Sequence, residues 1–147
     1  FDKKLTPAMR SDIKAQNKSI AEVITMASIV EREVSTMNDR ELVSGLFWQR
    51  IAIGQPLQSD ATLTYILGDE IGQHSLAQTQ IVSPYNTYRN KGLPPGPISN
   101  AGLAAIMATI YPKNSDYNYF LSDPATGQTI FSKTFEEHVA NKNKYGL

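Results

Sequence analysis

Three carboxylates, Glu22, Glu31 and Glu33, fall in one stretch where Ile20, Val23, Ile24, Ala27 and Val30 recur at helical spacing. On a wheel of 3.6 residues per turn, Glu31 lies about 20° from Ile20, between the directions of Ile24 and Ala27, so it stands on the apolar stripe. Glu22 and Glu33 point off that stripe, toward solvent. A carboxyl group among apolar neighbours loses hydration in its charged form, which raises its pKa and keeps a proton on it near neutral pH. A general acid needs that property. The competing reading of Glu31 is an interior carboxylate satisfied by a polar neighbour, or one left at the rim by an early helix end.

Two further groups could handle a substrate. Gln58, Ser59 and Asp60 are three consecutive polar residues ahead of a short apolar turn. Asp60 suits a helix N-cap, while the amide and hydroxyl of Gln58 and Ser59 offer both donors and acceptors, suited to sugar hydroxyls or to plain loop solvation. The run Ser83, Pro84, Tyr85, Asn86, Thr87, Tyr88 leads into Gly92, Leu93, Pro94, Pro95, Gly96, Pro97, whose prolines fix φ and favour a preorganised loop. Tyr85 and Tyr88 can present apolar faces to sugar rings, with Asn86 and Thr87 as hydrogen-bonding groups; a proline-rich recognition segment or a surface cover is the other reading. His74 and His138 are too few for a metal site and no HExxH accompanies them, so neither metal nor cofactor is expected. His138, on the inward phase of the last helix, suits a core or supporting role. Hydrolase-elbow, phosphate-loop and dinucleotide motifs are absent.

The elements that must hold these residues read as mainly helical. A first amphipathic helix covers residues 2–16, with Leu5, Ala8, Met9 and Ile13 on one side and Pro7 early. A second runs from about Ile20 to Val34 behind a cap region at Asn17, Lys18 and Ser19. Asn38 or Asp39 caps a third, which stops at Gly54. A short helix capped by Asp60 opens a stretch of residues 55–97 that is otherwise loop. A helix starting near Ser99 or Asn100 carries Leu103, Ile106, Met107 and Ile110 on its buried stripe. Residues 117–122 and 128–131 form a hairpin around a turn of Asp123, Pro124, Ala125, Thr126 and Gly127, and a helix over residues 133–144 closes the chain. The expected fold class is α+β, a single domain with a small hairpin and a long Pro/Gly-rich loop region.

With 147 residues and 41% hydrophobic side chains, the chain is large enough for one core. Fourteen basic residues balance fourteen acidic ones, so no net field draws a polyphosphate, and nucleic acid is not the expected partner. A neutral polymer such as a polysaccharide remains open. Cysteine is absent, which removes disulfides, thiolate metal sites and thiol nucleophiles. No apolar run approaches the roughly 20 residues of a membrane span. The chain begins at Phe1 rather than Met, as a processed protein or an excised fragment would.

In combination, Ala27-Ser28-Ile29-Val30-Glu31-Arg32-Glu33, Pro56-Leu57-Gln58-Ser59-Asp60, the SPYNTY run at 83–88, the GLPPGPI run at 92–98, and Phe131-Ser132-Lys133-Thr134 with Glu137-His138 resemble the MltG (YceG-like) endolytic murein transglycosylases. The resemblance covers the chain from about Ile20 onward, with Ala61 and Ala101 standing where relatives commonly carry proline. It implies cleavage of the β-1,4 bond between N-acetylmuramic acid and N-acetylglucosamine inside peptidoglycan strands, leaving a 1,6-anhydromuramic end. It maps the catalytic glutamate onto Glu31, acting as acid and then as base. It also puts Gln58, Ser59, Asp60, Tyr85, Asn86 and Thr87 in the substrate cleft, with Asn100 and the proline-rich loop as its wall. Further implications are glycan strands as partner, peptidoglycan synthases as protein partners, and a place outside the cytoplasmic membrane behind an N-terminal anchor and a LysM-like region. A hydrolytic muramidase, a non-cutting glycan-binding module and a proline-loop interaction domain are the alternatives.

Overall fold

The computed structural model describes residues 3–147, so the expected helix start at Asp2 lies outside the described residues, while residues 3–5 form a turn and the helix begins at Pro7. Among these residues, six α-helices and one two-stranded antiparallel sheet make the mainly helical α+β architecture that the sequence leads one to expect. Helix α1 (Pro7–Ala15) opens with its proline in the first turn, where a missing amide proton costs nothing, and Thr6 caps it by accepting the Met9 amide. Helix α2 (Ile20–Glu33) begins with a reciprocal capping box between Ser19 and Glu22. Helix α3 (Met37–Ala52) is capped by Thr36 rather than by Asn38 or Asp39; the Asp39 amide is the group that the Thr36 hydroxyl satisfies.

Helix α2 is the centre of the molecule. Every residue from Val23 to Val30 is buried, so the helix is enclosed on all sides and has no single apolar face. One cluster joins its Val23, Ile24 and Ala27 to Met9 and Ile13 of α1 and to Ala105, Ile106 and Ile110 of α5 (Leu103–Ile110). A second joins Met26, Ile29 and Val30 to Val43, Leu46 and Phe47 of α3. The stripe expected on α5 is rotated: Ile106 and Ile110 are buried, but Leu103 and Met107 are exposed, and Ala105, Ala108 and Thr109 face inward instead. Small side chains there let α5 sit close to both α2 and α3. Close approach also fixes Gly45 on α3, where a Cβ would lie 2.0 Å from the Lys113 carbonyl oxygen of the crossing chain.

Helix α4 (Asp60–Leu67) ends on Gly68 in the left-handed conformation, φ 68°. Strands β1 (Tyr119–Ser122) and β2 (Thr129–Ser132) pair in register Phe120 with Phe131 around the predicted turn. Phe120 meets Phe47 edge-on at 5.8 Å, which seats the hairpin on α3. Helix α6 (Phe135–Lys144), with a Thr134–Glu137 capping box, packs on the hairpin. No helix among the described residues is long and apolar enough to cross a membrane.

Candidate active site

Where α2 ends, α3 ends and α4 begins, the hairpin and α6 complete a cleft of about 560 Å³. Glu33, Arg50, Asp60 and Tyr88 line it together with Tyr119 and His138. A smaller hollow of about 210 Å³ is bounded by Glu33, Glu31, Val34 and, on the hairpin, Gly127 and Thr129. Glu33 borders both.

Glu33 was expected to face solvent, and the structure corrects this. It follows Met26, Ile29 and Val30 by seven, four and three residues, so it continues the stripe that packs against α3. Its Oε1 accepts hydrogen bonds from the Ser59 hydroxyl and, at 3.5 Å, the Ala61 amide. Desolvation pushes its pKa up, as does the nearby Asp60 charge, while the Ser59 and Ala61 hydrogen bonds and Arg50 pull the other way; the net direction is upward. On α2 the carboxyl with a raised pKa is Glu33.

Glu31 occupies a different environment. Its Oε1 accepts from Arg40 of α3 at 3.2 Å, and its Oε2 accepts the Gly102 amide at 3.1 Å, at the start of α5. Both oxygens thus tie three helices together, which is the interior, satisfied carboxylate weighed against catalysis above. The wheel direction of Glu31, between Ile24 and Ala27, is a buried one, and Ile20 is exposed at 37% as the first residue of the helix.

The polar cluster before α4 divides in two. Gln58 is exposed on the cleft, at φ 54°, a left-handed conformation that costs a non-glycine residue on the order of 1 kcal/mol. Ser59, not Asp60, is the N-cap residue of α4, yet its hydroxyl caps nothing because it is turned to Glu33. Asp60 is the first residue of α4 and faces the cleft. Its carboxylate bonds the Tyr88 hydroxyl, and its Oδ1 lies 3.2 Å from His74 Nδ1. Burial and the Asp60 and Glu33 charges push the Tyr88 phenol far above its ordinary value, so it stays a donor. Arg50 is pulled below the usual guanidinium range by desolvation, opposed by Tyr119, Tyr88 and Glu33.

Ser59, Asn86 and Thr87 are buried, so they reach the cleft only through other groups. Asn86 donates to the Thr79 and Ile81 carbonyls and accepts the Tyr88 amide, tying the 83–88 loop to the segment before it. Thr87 accepts the Ser59 amide at 3.0 Å and meets Thr62 at 2.9 Å. These residues fix Ser59 and Tyr88 rather than substrate. Tyr85 turns away and packs on Tyr65 at 4.9 Å. Asn100 is exposed and borders neither hollow, and the proline-rich loop does not wall the cleft. It lies on α2 instead, where the Ile98 amide donates to Ser28. Arg50 and Tyr119 were not singled out from the sequence. Arg50, in the last turn of α3, looks like any helix-ending cation until the fold brings β1 over it.

The YceG-like family model matches residues 1–144. The endolytic murein transglycosylase of Bacillus subtilis (strain 168) is 39% identical over 136 residues, which is 92% of this chain and 38% of that protein. The protein of the same name from Streptococcus pneumoniae (serotype 2) is 40% identical over 147 residues, 96% of this chain and 26% of that protein. A crystal structure of a yceG-like protein from Listeria monocytogenes superposes with a TM-score of 0.84 at 40% identity, covering 92% of this chain and 44% of that one. The chain thus spans less than half the length of these relatives.

Proposed function

The chain belongs to the YceG-like family, and from that premise we propose that it cuts peptidoglycan glycan strands between N-acetylmuramic acid and N-acetylglucosamine, with Glu33 as the acid. One observation carries the reading: a carboxyl with a raised pKa lines two hollows, which offer room for the two arms of a strand. Oε1 of Glu33 is held by Ser59 and Ala61, which leaves Oε2 to carry the proton to the glycosidic oxygen. As the bond to C1 breaks, the positive charge that develops on the sugar is met by the new carboxylate. The same Oε2 then takes the proton of the C6 hydroxyl as that oxygen closes on C1, giving the 1,6-anhydro end. Tyr88, Tyr119 and Phe120 supply ring faces for the sugars.

Asp60 shares the cleft, and a second carboxyl is what a hydrolase uses to activate water. That favours the muramidase reading. Against it, the Asp60 carboxylate is already engaged by Tyr88 and His74. Product mass decides, because an anhydro end is lighter than a hydrolysed one by one water. On this reading the chain works outside the cytoplasmic membrane, tethered there by an N-terminal anchor and alongside peptidoglycan synthases. Loss of cutting in Glu33→Gln, with glycan binding retained, is the expected outcome; unchanged cutting would defeat the assignment.

A further inference from the structure

Acid chemistry at Glu33 leaves one side of the cleft without a task. Besides Glu33 and Asp60, the hollow is lined by Arg50, His138 and Lys142. His138 and Lys142 lie four residues apart on α6 and so share a face. Arg50 is fixed from the opposite direction, donating to the Leu57 and Asn118 carbonyls, the latter at 2.8 Å. The three are electrostatic neighbours: desolvation first, then the charges of Lys142 and Arg50, hold the His138 imidazole below its ordinary pKa. Tyr119 stacks on that ring at 5.1 Å, and His138 Nδ1 is buried without a hydrogen-bond partner. The Lys142 ammonium has no ion-pair partner among the described residues.

The chain as a whole carries no net charge, and the cleft brings the cations Arg50 and Lys142 together with the carboxyls of Glu33 and Asp60. The raised pKa of Glu33 weakens the acidic share of that set. Lys142, with His138, stands on the α6 side. Of the two sugars that alternate in the strand, only muramic acid bears an acidic substituent. It is a lactyl carboxylate where no peptide is attached, and the carboxylates of the peptide where one is.

We propose that Arg50, His138 and Lys142 form a carboxylate-binding subsite that receives the acidic substituent of muramic acid and thereby sets which of the two alternating glycosidic bonds meets Glu33. This rests on the glycan-cleaving reading. It makes the α6 side a specificity element, since N-acetylglucosamine offers nothing for it to hold. A strand entering one residue out of register leaves the cations unpaired and its acid elsewhere, and is rejected on that account.

Three soluble probes test the subsite by calorimetric binding at low salt: a muramic-acid disaccharide with a free lactyl carboxylate, the disaccharide-dipeptide with a free glutamyl carboxylate, and that dipeptide amidated. At least one acid is expected to bind about fivefold tighter than the amide, the scale of one partly exposed charge-assisted contact, and whichever acid shows the preference names the source of the carboxylate. Lys142→Gln should bring the acids to within about twofold of the amide without weakening the amide, and His138→Gln should move the preference in the same direction. Equal binding of acids and amide by the wild type, binding of no probe, or equal weakening of all three by Lys142→Gln would each overturn the proposal. Digestion of whole peptidoglycan by the wild type is run alongside. No cutting, with the acid preference intact, defeats the catalytic reading and leaves the subsite standing.

Discussion

Glutamine at position 31 and glutamine at position 33 should have opposite effects. At Glu31, the side chain accepts from Arg40 on one oxygen and from the Gly102 amide on the other. Glutamine keeps one acceptor and turns an NH2 group toward one of those donors. The Arg40 side chain, only 15% exposed, then loses its counter-charge, and its Nε is already without a partner. Hydrogen bonds to a charged group contribute roughly 1.5–3 kcal/mol each, and discounting for the 27% exposure of Glu31 leaves about 2 kcal/mol of destabilisation. For a chain of this length that lowers the melting temperature by about 4–8 °C. At Glu33, glutamine retains an acceptor for Ser59 and removes a group whose ionisation the cleft disfavours. The native state binds the Glu33 proton more tightly than the unfolded chain does. Stability from this group is therefore full below the ordinary value of 4.5 and is lost as pH rises through the raised native value. Glu33→Gln abolishes that loss, so at neutral pH the variant is as stable as the wild type or more so. Urea unfolding at pH 7, paired with digestion of glycan below both transitions, reads the two effects separately. Glu33→Gln is expected to cut about 10²- to 10⁴-fold more slowly, the usual contribution of a general acid. Glu31→Gln should keep its activity to within about tenfold. A stable, inactive Glu31→Gln beside an active Glu33→Gln would refute the assignment.

Other outcomes follow from single contacts. Ser59→Ala removes the hydroxyl whose hydrogen bond lowers the Glu33 pKa, so the alkaline limb of the rate profile should move to higher pH; an unmoved limb means Ser59 does not touch the reacting acid. Arg50→Leu leaves the Leu57 and Asn118 carbonyls without their donor and should cost about 2–4 kcal/mol in denaturant unfolding. The His138 ring should titrate by NMR below its ordinary 6.5 and move upward in Lys142→Gln, since Lys142 is one of the charges holding it down. Because a depressed histidine is protonated more readily when unfolded, stability should also fall as pH drops below that ordinary value. Gly45→Ala drives a Cβ into the Lys113 carbonyl oxygen and should lower stability by roughly 1–3 kcal/mol or more.

Local chemistry made much of the fold legible. The cap region before α2 and the turn composition at residues 123–127 act within a few residues, and each produced the element expected of it, whereas α1 starts only at Pro7, later than its apolar spacing suggested. Burial phase was less legible, because a wheel presumes one buried face. Helix α2 is enclosed all round, so the stripe of Ile24 and Ala27 that pointed at Glu31 and the run Met26, Ile29, Val30 that pointed at Glu33 are both buried. Sequence could have yielded that second stripe, but nothing local says which of two stripes meets a cleft. Of the polar residues in the 58–60 and 83–88 segments, which turn inward and which line the cleft depends on long-range partners. Asn86 is spent on carbonyls of the segment before its loop, and Thr87 on Ser59, which leaves Gln58, Asp60 and Tyr88 on the surface of the cleft. Arg50, Tyr119 and His138 converge only because the hairpin and α6 fold back over the end of α3, a contact made across some seventy residues of chain.

The direct test of the central claim is mass analysis of the fragments released from purified peptidoglycan by the wild type and by Glu33→Gln. Internal cuts ending in 1,6-anhydromuramic acid with the wild type, and none with the variant, are the predicted result. Equal release by the two proteins would contradict the role given to Glu33, and hydrolysed reducing ends throughout would replace the lytic reaction with water attack assisted by Asp60.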